Sequence, residues 1–165
     1  MNELEFIFQA LLDDIVLSEV TLFKILWKIL PKKSFISGLP LKQFENSPYF
    51  FNCFAHVLSK SRSKYPHFRL YAKNIVLLTP EEHRLFDQGT DAQRKDYSKI
   101  ISSNSGKIKV DWDKLYRFAD ELKAEYEKEF PCNVGGIIYK YSKEEVNKKI
   151  CALNKRYFDK IRKGS

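Results

Sequence analysis

The chain has 165 residues, of which 44% are hydrophobic and 15% aromatic, so it can bury a core and global disorder is excluded. Its formal net charge of +8 favours a polyanionic partner. The cysteines are three in number, widely spaced and without a C-x-x-C pair, which excludes a disulfide framework and a self-contained zinc knuckle. A reducing, cytoplasmic setting is therefore predicted.

Residues 1–30 are predicted to form an N-terminal helical segment of one or two helices, because apolar residues recur there at helical spacing. The most hydrophobic stretch, residues 20–30, is interrupted by Lys24 and Lys28 and is much too short to span a membrane. The acidic N-terminus does not fit a secretory signal, so no membrane segment is predicted. These helices are predicted to serve either as core packing or as a docking surface for a second copy or another protein.

A connector with Pro31, Gly38 and Pro40 leads to the most informative window, residues 50–90. Two short apolar runs, residues 50–58 and 73–78, are predicted strands, and residues 59–72 form a basic loop between them. Thr79-Pro80-Glu81-Glu82 is a capping box, which predicts a helix from Thr79 to near Asp87 with Gly89 as a left-handed stop. The predicted order is strand, loop, strand, short helix.

Residues 91–110 are predicted to be a mobile or irregular link with at most one helical turn. Two amphipathic helices follow over residues 111–163, separated by Pro131 and a Gly135-Gly136 turn. The second of them is predicted to begin at another capping box, Ser142 to Glu145.

All three histidines lie between residues 53 and 87, and this clustering indicates a functional site. His83 and Asp87 are four residues apart on the short helix, a spacing that suits two ligands of a divalent ion such as Mg²⁺, Mn²⁺, Ni²⁺ or Zn²⁺. His56 on the first strand suits a general base. Asn74 cannot act as a base, but it can hold the loop or the imidazole in position, or lend an oxygen to the metal. Taken singly, each residue is more often structural, and their joint order supports the functional interpretation.

These residues resemble the HNH endonucleases, whose ββα-metal motif has this order, and most closely the small HNH-type proteins of bacteriophages and prophages. The matching segments are AHVLSK at residues 55–60, YPHFRL at 65–70 and NIVLLTPEEH at 74–83. The resemblance covers about 40 residues and says nothing of the flanking helices. It implies that His56 is the general base, Asn74 a structural or metal-side residue and His83 a metal ligand. Asp87 falls where many members carry a second helical ligand.

The chain departs from the family pattern at Ala55, where many members place a further metal ligand directly before the base histidine. Either His83 and Asp87 hold the metal with help from elsewhere, or His56 is itself a ligand, or the site is weakened. His67 lies in the loop and is predicted to be a phosphate contact or a surface residue before a ligand. Tyr65, Phe68 and Tyr71 are predicted to pack under the hairpin rather than stack on bases.

The basic loop is predicted to lie against the phosphate backbone of DNA and to bind it without sequence preference. Its cations are Lys60, Arg62, Lys64 and Arg69, and Lys73 at the start of the second apolar run is predicted to bind nucleic acid with them.

The predicted fold class is α+β and mostly helical, as a single domain over residues 1–165 with the HNH-like ββα motif at 50–90. The predicted function is metal-dependent hydrolysis of DNA phosphodiester bonds in a host-cell cytoplasm, with DNA and another phage protein or a second copy as partners. The alternative is a non-catalytic nucleic-acid-binding accessory protein on a degenerate HNH scaffold. A purely structural helical interaction protein is the third interpretation.

Overall fold

The computed structural model of the protein describes residues 3–13, 15–43, 47–59 and 64–164. The chain forms two compact units. The first comprises Met1–Ile29, Leu58–Asn74 and Ala119–Ser165, and the second comprises Leu30–Val57 and Ile75–Phe118. The prediction of a single domain stays a prediction. The described residues are mostly helical with small antiparallel sheets, which confirms the α+β class.

Six helices and four short strands make up the regular structure of the described residues. In chain order they are α1 (Glu3–Leu12), α2 (Glu19–Ile29), β1 (Phe54–His56), β2 (Ile75–Leu77), α3 (Pro80–Gln88), α4 (Asp91–Ser105), α5 (Trp112–Glu129), β3 (Asn133–Val134), β4 (Ile137–Ile138) and α6 (Lys143–Gly164). α1 and α2 lie in the N-terminal stretch where helices are predicted, and α5 and α6 lie in the C-terminal stretch. No described helix is long and apolar enough to cross a membrane.

The first unit packs α6 against α1 and against the 3₁₀ turn Ala72–Asn74. Its core is built from the apolar stripes that the sequence predicts, and Leu122 of α5 and Ile150 and Leu153 of α6 are buried. The Gly135-Gly136 turn closes the β3–β4 hairpin, and both glycines have positive φ (60° and 86°), as a two-residue hairpin turn requires.

The second unit contains the small sheet of the histidine window. β1 and β2 are antiparallel, with Phe54 opposite Leu77, Ala55 opposite Val76 and His56 opposite Ile75. The strands are shorter than predicted, because Phe50–Cys53 and Ala72–Asn74 form 3₁₀ turns before them. The predicted order of strand, strand and helix is confirmed.

α3 begins where the sequence predicts. Thr79 Oγ1 accepts a hydrogen bond from the main-chain N–H of Glu82 (3.2 Å), and Glu82 Oε1 accepts one from the N–H of Thr79 (2.9 Å). The predicted left-handed stop is wrong, because φ of Gly89 is −80°. Glycine is needed there for space, since a β-carbon would lie 2.5 Å from the carbonyl oxygen of Leu85.

The prediction of an irregular link over residues 91–110 is wrong. α4 occupies most of it, and a second capping box between Thr90 and Gln93 starts the helix. None of its described residues is buried, so it lacks the apolar stripe by which helices are recognised in sequence. Arg94 donates to the carbonyl oxygens of Leu85 (2.8 Å) and Gly89 (2.9 Å), so α4 caps the end of α3.

The connector after α2 is part of the core of the second unit. The N–H of Phe35 donates to the carbonyl of Leu77 on β2 (2.8 Å), and the N–H of Asp111 donates to the carbonyl of Ile36 (2.8 Å). The side chains of Ser34 and Ile36 are buried. These bonds hold β2 and the start of α5 to one segment.

Candidate functional site

His83 is fixed by a main-chain carbonyl. α3 packs on the Phe50–Cys53 turn, and the Nδ1 atom of His83 lies 2.8 Å from the carbonyl oxygen of Asn52. A carbonyl oxygen only accepts hydrogen bonds, so Nδ1 carries the proton and donates it. In the neutral ring the lone pair is then on Nε2. Histidines that bind metals through Nε2 commonly have Nδ1 anchored in this way.

The Nε2 atom of His83 faces a carboxylate. It lies 3.0 Å from Oδ2 of Asp87, one helical turn further along α3. The two side chains are 22% and 52% exposed, so solvent and solutes reach both. A lone pair on Nε2 and a carboxylate oxygen repel at this distance. A proton between the two atoms, or a cation shared by them, makes this contact favourable.

The separation of these two atoms fits a shared divalent ion. Two ligands about 2.1 Å from a metal and at right angles to each other lie about 3.0 Å apart. Among the residues that the structure describes, no third His, Cys, Asp or Glu joins the pair. His83 and Asp87 thus suit an ion that keeps several water or phosphate ligands, as Mg²⁺ does, rather than a closed zinc site.

His56 belongs to the same unit as His83 and Asp87. It is the last residue of β1, lies opposite Ile75 in the sheet and is half-buried. The residue before it, Ala55, is fully buried. Side chains alternate along a strand, so the methyl group of Ala55 is on the opposite face of β1 from the imidazole of His56 and supplies no ligand.

Asn74 holds the two ends of the loop between β1 and β2. Its side chain is fully buried in the first unit. Oδ1 accepts from the N–H of Leu58 (2.7 Å), while Nδ2 donates to the carbonyls of Leu58 (3.1 Å) and Phe68 (3.2 Å). Both amide protons and one oxygen lone pair are therefore used by the loop backbone. Of the roles expected for Asn74, this geometry matches that of holding the loop.

The residues that are predicted to bind phosphate differ in exposure and in their ion-pair partners. Lys60 and Arg62 lie outside the described residues, and Lys64 is exposed. Arg69 pairs with Glu19 (3.1 Å) and Lys73 with Glu125 (3.0 Å). A phosphate would compete with these carboxylates for Arg69 and Lys73, so contact with DNA at these two positions stays a prediction.

His67 is part of an aromatic cluster in the first unit. Its ring lies parallel to that of Tyr126, 6.1 Å away, and is 4.8 Å from the ring of Phe130. Phe68 and Tyr71 are buried and pack edge-on against each other (4.8 Å), and Tyr65 packs edge-on against Tyr126 (5.2 Å) in the same unit. The predicted packing of these aromatics is thus observed, whereas their place under the hairpin stays a prediction. His67 is half-buried, and burial lowers its pKa from the ordinary value of 6.5.

We expect the free energy of unfolding of the wild type to fall more than that of His67→Gln between about pH 7 and pH 5. Because the pKa of His67 is lowered in the folded state, the unfolded chain takes up a proton below pH 6.5 that the folded chain does not. Stability is therefore lost as the pH falls. Urea unfolding at a series of pH values measures the difference, and parallel curves for the two proteins would contradict it.

Cys53, at the start of the window, is unsuited to metal binding. It is fully buried, and burial raises the pKa of its thiol to about 11. The thiolate form that binds metals is therefore scarce at neutral pH.

Two buried polar residues, Glu82 and Asn154, form hydrogen bonds that the sequence does not predict in full. Glu82, adjacent to His83, is fully buried, and its carboxylate accepts from Ser34 Oγ (2.6 Å) and Tyr97 Oη (3.1 Å) as well as from Thr79. In the first unit the buried Asn154 accepts from the N–H of Ala72 (2.8 Å) and donates to the carbonyl of Leu70 (3.0 Å). The capping box predicts the bond between Glu82 and Thr79, but not the burial of Glu82.

A scan against protein-family models, a search of curated proteins and a search of solved structures each gave no match to this chain.

Proposed function

We propose that this protein is a metal-dependent DNA endonuclease of the HNH type. The observation that carries the proposal is the pair on α3, with Nδ1 of His83 held by the Asn52 carbonyl and Nε2 3.0 Å from the Asp87 carboxylate. The antiparallel strands β1 and β2 followed by the capped helix α3 support it, because this order is that of a ββα-metal motif. The net charge of +8 suits a nucleic-acid substrate.

In this proposal His56 takes a proton from the attacking water at one of its ring nitrogens. An imidazole is suited to that role because its charge changes near neutral pH. His83 and Asp87 would hold a divalent ion, whose chemistry is to offset charge on the phosphate and on the departing oxygen. Asn74 acts at a distance from the chemistry, by keeping the loop between the two strands closed.

The proposal is tested first by metal binding. We expect His83→Ala and Asp87→Asn each to weaken Mn²⁺ binding at least about 10-fold, because each removes one of two protein ligands. Titration of the full chain with Mn²⁺, followed by electron paramagnetic resonance, measures the affinity. The matched control is Asp96→Asn, which removes an exposed carboxylate on α4 of the same unit. It should leave the affinity unchanged.

The same variants are then compared in cleavage of plasmid DNA with Mg²⁺, Mn²⁺, Ni²⁺ or Zn²⁺. Loss of metal-dependent cleavage in His83→Ala and Asp87→Asn, with full cleavage by Asp96→Asn, is the expected result. Unchanged Mn²⁺ affinity in His83→Ala would mean that the pair is a protonated histidine beside a carboxylate. Failure of the wild type to cleave DNA with any of the four metals would remove the endonuclease function.

The second candidate is a non-catalytic DNA-binding protein on the same ββα unit. It is favoured by Ala55, which is fully buried and supplies no ligand where a further one is common in the resembling family. DNA binding that is sensitive to salt but indifferent to metal and to His83→Ala would support it. A metal-requiring cleavage product would exclude it.

A further inference from the structure

Two aromatic side chains face solvent on the segment that anchors His83. Tyr49 is 61% exposed and Phe51 is 46% exposed, whereas Phe50 and Cys53 between and after them are fully buried. The buried ring of Phe50 packs edge-on against Phe54 of β1, with ring centroids 5.0 Å apart. The segment is thus fastened to the core by one set of side chains and presents another set to solvent. Two exposed rings two residues apart in the chain give this turn an apolar exposed surface, and such a surface can serve for binding.

These aromatics are close to the His83–Asp87 pair. The N–H of Asn52 donates to the carbonyl of Tyr49 (3.1 Å), and the carbonyl of Asn52 in turn accepts from His83. A 3₁₀ turn advances about 2 Å per residue, so the α-carbons of Tyr49 and Asn52 are about 6 Å apart along the turn. Successive nucleotides of a stacked strand are about 3.4 Å apart. The main chain of Tyr49 is thus about two nucleotide spacings from the residue whose carbonyl anchors His83.

The part of the second unit that carries this turn is basic in sequence. Leu30–Val57 contains Lys32, Lys33 and Lys42 against one acidic residue, Glu45, and a net positive segment suits a polyanion such as a nucleic acid. An exposed ring offers a flat apolar face, which any nucleobase can stack on without sequence readout. In an intact duplex the base faces are covered by neighbouring pairs, so only an unpaired base could use these rings.

We propose that Tyr49 and Phe51 form a stacking platform for unpaired nucleobases next to the scissile phosphate. The proposal rests on the proposed function, and it makes single-stranded or locally unpaired DNA the preferred substrate. The rings contribute base stacking, while the phosphate is recognised at the His83–Asp87 pair.

The test is binding of a fluorescently labelled 12-nucleotide oligo(dT), measured by anisotropy in EDTA with the full chain so that no cleavage occurs. We expect Tyr49→Ala/Phe51→Ala to weaken binding at least about 10-fold, since stacking contributes strongly for each base. The matched control is Tyr116→Ala, because Tyr116 is a 40% exposed tyrosine of the same unit on α5. It should change the affinity less than about 2-fold.

A second probe separates stacking from phosphate binding. An abasic strand of the same length keeps the phosphates but lacks the bases, so it should bind the wild type as weakly as oligo(dT) binds the double variant. Tyr49→Leu/Phe51→Leu keeps apolar bulk and removes the rings, and it replaces the alanine variant if circular dichroism shows that variant to be unfolded. Equal affinity of the wild type for the abasic strand and oligo(dT) would overturn the platform, as would no binding of oligo(dT) at low salt.

Failure of this inference and failure of the proposed function give different results. Metal-dependent cleavage at the wild-type rate by the double variant, with unchanged oligo(dT) affinity, removes the platform and leaves the endonuclease. Ring-dependent oligo(dT) binding in a protein that cleaves nothing with any metal removes the endonuclease and leaves the platform as a binding site.

Discussion

Replacing Asn74 with alanine should lower the free energy of unfolding by about 3–5 kcal/mol. The substitution removes three hydrogen bonds and leaves the N–H and C=O of Leu58 and the C=O of Phe68 without their partner. All of these groups belong to buried residues, and a buried backbone group left unpaired costs about 1–3 kcal/mol. Asn74 is fully buried, so bulk water does not reach these groups in the folded chain without a rearrangement of the loop.

The measurement is urea unfolding followed by tryptophan fluorescence in a Trp112→Phe background. Trp27 then reports on the first unit, to which Asn74 also belongs. The control is Asn104→Ala, an exposed asparagine on α4, which should shift the free energy of unfolding by less than about 0.5 kcal/mol. A loss below about 1 kcal/mol in Asn74→Ala would show that the loop closes without this side chain.

His56→Ala should lower the single-turnover rate of DNA cleavage by about 100-fold to 10,000-fold, the usual contribution of a general base. DNA affinity should stay within about 2-fold, because His56 is assigned to the attacking water and not to the phosphates. Mn²⁺ affinity should also be unchanged, since the metal is assigned to His83 and Asp87. This last measurement decides between the roles of base and ligand that the sequence leaves open for His56.

The control is His67→Gln, which removes a half-buried histidine of the other unit and should cleave at close to the wild-type rate. Cleavage rates that are equal in His56→Ala and the wild type would remove His56 from the mechanism. Weakened Mn²⁺ binding in His56→Ala would make it a third ligand instead of the base.

The parts of the window that could be predicted from sequence are those fixed by local rules. The capping box at Thr79 depends on residues three apart, and the structure has both of its hydrogen bonds. The i,i+4 spacing of His83 and Asp87 follows from helical geometry, and their atoms meet at 3.0 Å. The two short strands also lie where their β-branched and aromatic residues place them, although each is only three residues long.

The parts that could not be predicted depend on partners distant in sequence or on the backbone. α4 has no buried face, so its sequence lacks the periodic apolar residues that indicate a helix. The Thr90–Gln93 capping box is the local sequence pattern that marks where this helix begins. Glu82 is buried because Ser34 and Tyr97, far from it in sequence, supply donors to its carboxylate. The pairing of Lys73 with Glu125 likewise joins residues that no local pattern connects.

The anchoring of His83 by the Asn52 carbonyl has a consequence for how the site can be changed. Every residue type has a carbonyl group, so substitution at position 52 leaves the acceptor in place. The orientation of the imidazole depends instead on the length of the turn. One residue inserted between Phe50 and Cys53 would move the Asn52 carbonyl away from Nδ1 of His83. The proton position on this ring thus depends on the length of the turn and not on the side chain at position 52.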